Sequence, residues 1–254
     1  MPSSLAIVLA AGKGTRMKSD LPKVLAPVCG RPMVRYVVDS LREAGIDRIV
    51  VVVGYKAELV RAELAGEPGV SFVEQTEQLG TGHAVMVCRA EIEANGGHAA
   101  GGPVVIVTGD SPMLQVSSVR ALLAEYDASR PACLIGTAHR NDPTGLGRVV
   151  RDGGGGFIGI VEEKDATDEQ RKITEVNMST YVFGGRQLLS ALDRLTTDNA
   201  QAEYYITDCP GILQSEGEPV AALAALQPCE ALSVNTVDDL AAVEAEMKRM
   251  QIQG

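Results

Sequence analysis

The chain has 254 residues, of which 45% are hydrophobic and only 4% aromatic, with no Trp. Its core must therefore be built from Val, Leu, Ile and Ala, the composition of buried parallel strands and their covering helices. Acidic residues outnumber basic ones 33 to 23, a formal charge of -10, which excludes a general attraction for DNA, RNA or an anionic bilayer.

In chain order, Leu5 to Leu9 is a short apolar run that predicts a buried strand. Met33, Val34, Val37, Val38 and Leu41 fall at helical spacing. Pro32 suits a first helical position and Gly45 a stop, so Pro32 to Ala44 predicts a helix. Ile49 to Val53 is a continuous β-branched run and predicts a second buried strand. Lys56 to Leu64 reads as a helix, Val70 to Val73 as a strand, Thr81 to Glu93 as a helix and Val104 to Val107 as a buried strand. The second half is less regular. Val116 to Tyr126 predicts a helix and Ala132 to Thr137 a strand. Arg148 to Val150 and Phe157 to Val161 flank a glycine-rich turn, Asp152 to Gly156, and predict a hairpin. Val220 to Leu226 predicts a last strand, and Val237 to Met250 a closing amphipathic helix. Strands alternating with helices imply right-handed crossovers. The expected fold is α/β: a Rossmann-like, mainly parallel twisted sheet flanked by helices, with an inserted β-hairpin in the second half. No low-complexity linker and no internal repeat divides the chain.

Cys29, Cys88, Cys133, Cys209 and Cys229 are odd in number, scattered and without C-x-x-C spacing, as reduced intracellular thiols are. His83, His98 and His139 are dispersed, which argues against a histidine-built metal site. No apolar run approaches the roughly 18 residues of a membrane span. Leu5 to Ala11 lacks the basic leader of a signal core, so the expected location is cytoplasmic, with no membrane partner.

In open sheets of this kind ligands bind past the carboxyl ends of strands. After the first strand come Ala10-Ala11-Gly12-Lys13-Gly14-Thr15-Arg16-Met17, then Lys18 and Lys23. Small residues let the backbone approach a ligand, and successive N–H groups can form a concave anion site. Lys13, Arg16, Lys18 and Lys23 place four cations within eleven residues of an acidic chain. Arg offers phosphate a planar fork and Lys a point charge. The spacing excludes a Walker A loop, and Met17 stands where a dinucleotide loop needs its third Gly. Asp110 follows the strand ending at Val107, where a carboxylate can hold Mg²⁺ against phosphates or close a turn on its own backbone. Gln75 and Gln78, before Gly80-Thr81-Gly82, can read a base edge or cap the next helix. Glu162 to Asp165, beside a predicted strand, reads on its own as a solvated charge cluster. Asn235 follows a short strand-like stretch and can equally cap a helix.

Together the segments Leu9 to Leu25, Glu74 to Ala84, Gly109-Asp110, Pro143 to Arg148, Ile160 to Thr167, Asn199 to Asp208 and Val234-Asn235 resemble the sugar-nucleotide pyrophosphorylases. Within that family they are similar above all to the uridylyltransferases that make UDP-N-acetylglucosamine. The resemblance covers nearly the whole chain, in the family's order. It implies a fold of the nucleotide-diphospho-sugar transferase type and one nucleotidyltransferase domain over 1–254. Residues 1–115 would form its nucleotide-binding half and 116–254 its sugar-binding half. The Leu9, Ala10, Ala11, Gly12 and Gly14 backbone and Arg16 would hold a triphosphate, with Lys23 neutralising phosphate charge. Arg16 and Lys23 are thus the implied catalytic cations. Gln75, Gln78, Gly80 and Thr81 would recognise uracil. Asp110 and Asn235 would ligate Mg²⁺, the implied cofactor. Gly147, Glu162, Asn177 and Thr207 would hold the sugar phosphate. The implied partners are UTP and a sugar 1-phosphate, N-acetylglucosamine 1-phosphate above all; no nucleic acid and no particular oligomer is implied.

Several positions depart from the family. Thr108 stands where Tyr is frequent, and Met178-Ser179 where Thr-Gly is usual, which bears on the sugar accepted. Pro210 implies a kink in the helix after Thr207. The chain reaches Gly254 without hexapeptide repeats, so neither a β-helical domain nor its acetyltransferase activity is expected of it. Three other readings share these residues: the same chemistry with another base or acceptor, a non-catalytic nucleotide sensor, and an NAD-dependent oxidoreductase. The missing third Gly counts against the last.

Overall fold

The computed structural model describes residues 4–17, 19–95, 102–232, 234 and 236–250. Its strands are β1 (Leu5–Ala10), β2 (Pro27–Val28), β3 (Arg31–Pro32), β4 (Arg48–Val53), β5 (Val70–Glu74), β6 (Pro103–Thr108), β7 (Cys133–His139), β8 (Arg148–Arg151), β9 (Phe157–Val161), β10 (Glu175–Gly184) and β11 (Val220–Leu223). Its helices are α1 (Met33–Glu43), α2 (Ala57–Glu63), α3 (Thr81–Met86), α4 (Arg89–Ala94), α5 (Val116–Ser129), α6 (Asp168–Arg171), α7 (Gly185–Leu192), α8 (Asp208–Ser215) and α9 (Val237–Arg249).

The apolar runs pair side by side. β1 lies between β4 and β6, parallel to both, with Ile7 opposite Val50 and Ile106. The main sheet runs β11-β7-β10-β6-β1-β4-β5. β10 alone on this path is antiparallel to its neighbours β6 and β7. The β8–β9 hairpin joins this sheet at the start of β10, through Val176 and Arg148. Both faces of β1 are buried, which explains its unbroken hydrophobicity. Leu5 and Ile7 pack with Val85, Phe183 and Leu188 on one side, and Ala6 and Val8 with Val37, Leu41 and Val60 on the other. Among the described residues no helix is long and apolar enough to cross a membrane. The cysteines are free, and burial pushes the Cys88 thiol up to about 12.

Three expectations change. The helix read over Thr81 to Glu93 is two helices, because Cys88 turns back to bond the Val85 carbonyl at 3.0 Å and ends α3. The strand read over Val220 to Leu226 stops at Leu223, where Ala225 bonds back to its carbonyl at 2.8 Å. Pro210 does not interrupt a helix. It is the third residue of α8, where its missing N–H has no intrahelical acceptor to lose, and α8 continues unbroken to Ser215.

Candidate active site

The carboxyl ends of β1, β5 and β6 open onto two adjoining cavities. The smaller, about 280 Å³, is lined by Ala11, Gly12, Lys23, Gln75, Gln78, Gly80 and Asp110. The larger, about 420 Å³, is lined by Arg16, Glu162, Ser179, Tyr181, Tyr205 and Thr207. Leu9, Thr81, Thr108 and Glu203 line both.

The loop after β1 is held from beneath. Met17 is buried with Met33, Met113, Val243 and Met247, a burial that contributes roughly 1.5–3 kcal/mol to fixing the loop. Gly14 has φ +68°, and a Cβ there would lie 2.7 Å from that of Lys23, so only glycine lets the loop lie on this lysine. The cations then diverge. Lys13 sits 5.2 Å from the centroid of the Tyr55 ring. Lys23 forms an ion pair with Asp110. Arg16 is exposed and reaches the larger cavity. Lys18 and the expected ligand Asn235 lie outside the described residues. Ala10 packs into the core, so only its backbone faces a ligand.

At the far end of the smaller cavity Gln75 is buried. Its Nε2 donates to the Gly80 carbonyl at 3.1 Å and lies 3.1 Å from His83 Nδ1. Among the described residues its Oε1 carries no hydrogen bond, which leaves that oxygen as an acceptor. Gln78 Nε2 donates to the Gln75 carbonyl at 3.2 Å. Gly80 has φ +108°, and a Cβ there would lie 2.5 Å from the Tyr204 carbonyl. This glycine lets two distant segments meet: Tyr204 N–H donates to Leu79, Gly82 N–H to Tyr204, and Ile206 N–H to the Thr81 hydroxyl at 3.1 Å. The Thr81 side chain thus holds the 203–207 segment in place.

In the larger cavity burial pushes the Glu162 carboxyl up, against a lowering interaction with Thr207 and with further raising from Asp165 and Asp208. Burial, then Asp165, raises Asp208 in the same way. Gly147, Glu162 and Asn177 are brought together: a Cβ on Gly147 would lie 3.5 Å from Glu162 Oε1 and 3.6 Å from Asn177 Cβ. Asn177 takes its N–H to the Gly147 carbonyl at 2.8 Å and its Nδ2 to the Tyr181 hydroxyl at 2.7 Å. It lines a smaller annex of about 60 Å³ with Thr108, Ser111 and Ser179.

The sequence reading missed Gln201, Glu203 and Tyr205 as lining residues. They stand on an aperiodic loop, and the only signal was the Asn199 to Asp208 motif. The arrangement offers amides at one end, a cation–carboxylate pair in the middle and an Arg with a half-buried carboxyl at the other. It can bind two polar ligands end to end.

A family profile described as a MobA-like NTP transferase domain matches residues 6–207. The bifunctional protein GlmU of Listeria monocytogenes serotype 4a is 44% identical over 99% of this chain and 53% of that protein. GlmU of Brevibacillus brevis is 43% identical over 98% of the chain and 52% of that protein. The chain thus spans about half the length of these relatives. A crystal structure of UDP-glucose pyrophosphorylase complexed with UDP-glucose superposes with a TM-score of 0.76 at 16% identity, over 98% of this chain and 100% of that one.

Proposed function

The chain belongs to the MobA-like NTP transferase domain family, and from that premise we propose that it transfers UMP from UTP to N-acetylglucosamine 1-phosphate and releases pyrophosphate. The observation that carries this reading is the junction of the two cavities at Leu9, Thr81, Thr108 and Glu203. A nucleotide in one and a sugar phosphate in the other would meet there. The proposed location is the cytoplasm.

An acceptor phosphate is already anionic at neutral pH and needs no general base. One of its oxygens attacks the α-phosphorus in line. A new P–O bond forms as the bond to the α–β bridging oxygen breaks, and pyrophosphate leaves with that electron pair. The obstacle is the repulsion between the two anions. Arg16, Lys23 and the N–H groups of the loop from Leu9 to Gly14 offset it, and the two cavities fix the approach. Mg²⁺, when bound at Asp110 and Asn235, supplies further charge neutralisation at the phosphates. Among the described residues no three His, Cys, Asp or Glu gather as a metal site. One carboxylate completed by substrate oxygens is a donor set that Mg²⁺ accepts.

The base assignment rests on Gln75. With Nε2 engaged by Gly80, Oε1 can accept from the imide N–H of uracil, whereas cytosine presents an acceptor at that ring position. Glu162 and Thr207 would take sugar hydroxyls. A second reading, the same chemistry on another sugar 1-phosphate, is favoured by Thr108 and Ser179 on the acceptor wall, where the family more often has Tyr and Gly. Pyrophosphate release measured across nucleoside triphosphates and a panel of sugar 1-phosphates tests both. Highest kcat/KM for UTP with N-acetylglucosamine 1-phosphate supports the first reading. Preference for CTP or GTP overturns the base, and a different sugar moves the assignment to the second.

A further inference from the structure

Arg16 and Gly145 line a further cavity, of about 320 Å³, besides the one that would take the acceptor. Its walls include Arg140, just past β7, Thr144 in the next loop, and Thr236 and Asp239 at the start of α9. Two guanidinium groups on one cavity are notable in a chain of net charge -10. The Arg140 backbone is anchored, its N–H donating to the Thr174 carbonyl at 2.9 Å. Its guanidinium makes a long 3.5 Å contact with the Pro228 carbonyl. Among the described residues no carboxylate lies within ion-pair distance of it, whereas Arg31, Arg35, Arg42 and Arg151 are each paired. Asp239 is the one carboxylate on the wall, and its Oδ2 is turned to the Thr236 N–H at 2.8 Å in the capping box of α9.

We propose that this cavity is a diphosphate subsite, in which pyrophosphate leaving the transfer site is held between Arg16 and Arg140 before release. The proposal rests on the transferase reading above, which makes pyrophosphate the product. Arg forks match the paired terminal oxygens of a diphosphate better than a point charge does. Because Arg16 borders both spaces, the leaving group can pass from one to the other while still in contact with a cation. Orthophosphate, with one phosphoryl group, offers two guanidinium groups fewer oxygens and less charge than a diphosphate does.

The test is calorimetric titration of inorganic pyrophosphate into the whole chain, with Arg140→Ala and Arg140→Lys alongside. The expected result is a tenfold or greater loss of pyrophosphate affinity in Arg140→Ala, partial recovery in Arg140→Lys, and much weaker binding of orthophosphate to the wild type. Forward KM values for UTP and the sugar phosphate should stay within about twofold. Unchanged pyrophosphate affinity in Arg140→Ala, or an equal fall in UTP affinity, would overturn the subsite. The titration needs no turnover, so the two readings fail separately. Arg140-dependent binding without transferase activity keeps the subsite and removes the transferase reading; turnover with Arg140-independent binding does the reverse.

Discussion

Lys23 donates to the carboxylate of Asp110 on the wall of the smaller cavity, joining two residues 87 positions apart. Their side chains are 15% and 19% exposed, so the pair is shielded yet reachable by a ligand. If both act on the transferring phosphate, Asp110→Ala and Lys23→Ala should each lower kcat/KM about 100-fold, the cost of one transition-state contact of about 3 kcal/mol. Residues in contact are not additive. The double variant should therefore lose much less than the product of the two effects. A multiplicative loss in steady-state kinetics would mean that they act independently.

The amide of Gln75 is oriented by Gly80, which predicts discrimination by hydrogen bonding. Wild-type protein should prefer UTP over CTP. Gln75→Leu should raise the KM for UTP about tenfold or more, since a buried imide N–H left unpaired costs about 1–3 kcal/mol. Equal KM values for UTP in the variant and the wild type would remove Gln75 from base recognition.

Glu162 should trade stability for binding. Its carboxyl is raised in the folded state by burial and by neighbouring acids. The folded state therefore holds the proton more tightly, and the associated stability is full at acid pH and lost as pH rises through the raised value. Glu162→Gln should melt higher than wild type at neutral pH, with the difference fading below the ordinary carboxylate range. The same variant should raise the KM for sugar 1-phosphate about tenfold, as expected for a hydrogen bond to a charged group. A melting point unchanged at every pH would contradict the burial argument.

Glu175 carries the opposite sign. It is 6% exposed and accepts from Arg151 Nε at 2.6 Å, Arg151 Nη2 at 2.7 Å and the Thr137 hydroxyl at 2.7 Å. Burial pushes its carboxyl up, but Arg151 and Thr137 outweigh that and hold it below its usual range. Its stabilisation is present above the ordinary carboxylate value and lost as pH falls through the depressed one. Glu175→Gln should cost about 2 kcal/mol in urea unfolding at neutral pH, with the gap closing in acid. A gap of constant size down to low pH would argue against the pairing.

The parallel half of the fold was legible because β1, β4 and β6 are buried on both faces, so their composition alone marks them. The loop after β1 was legible because its glycines and cations are local. β10 was not. A bulge between Asn177 and Thr180, with Ser179 at φ +50°, breaks the alternation a strand would show. The 199–207 segment was not legible from periodicity either, since its shape is set by bonds to Leu79, Thr81 and Gly82. The Lys23–Asp110 pair was visible only as two separate residues, because sequence spacing carries no information about a contact across the sheet.

The most direct measurement is pyrophosphate release from UTP and N-acetylglucosamine 1-phosphate, with Mg²⁺ and again with a chelator. Release should require both substrates and stop when the metal is removed. Release from UTP without the acceptor, or none with any sugar 1-phosphate, would contradict the proposed reaction.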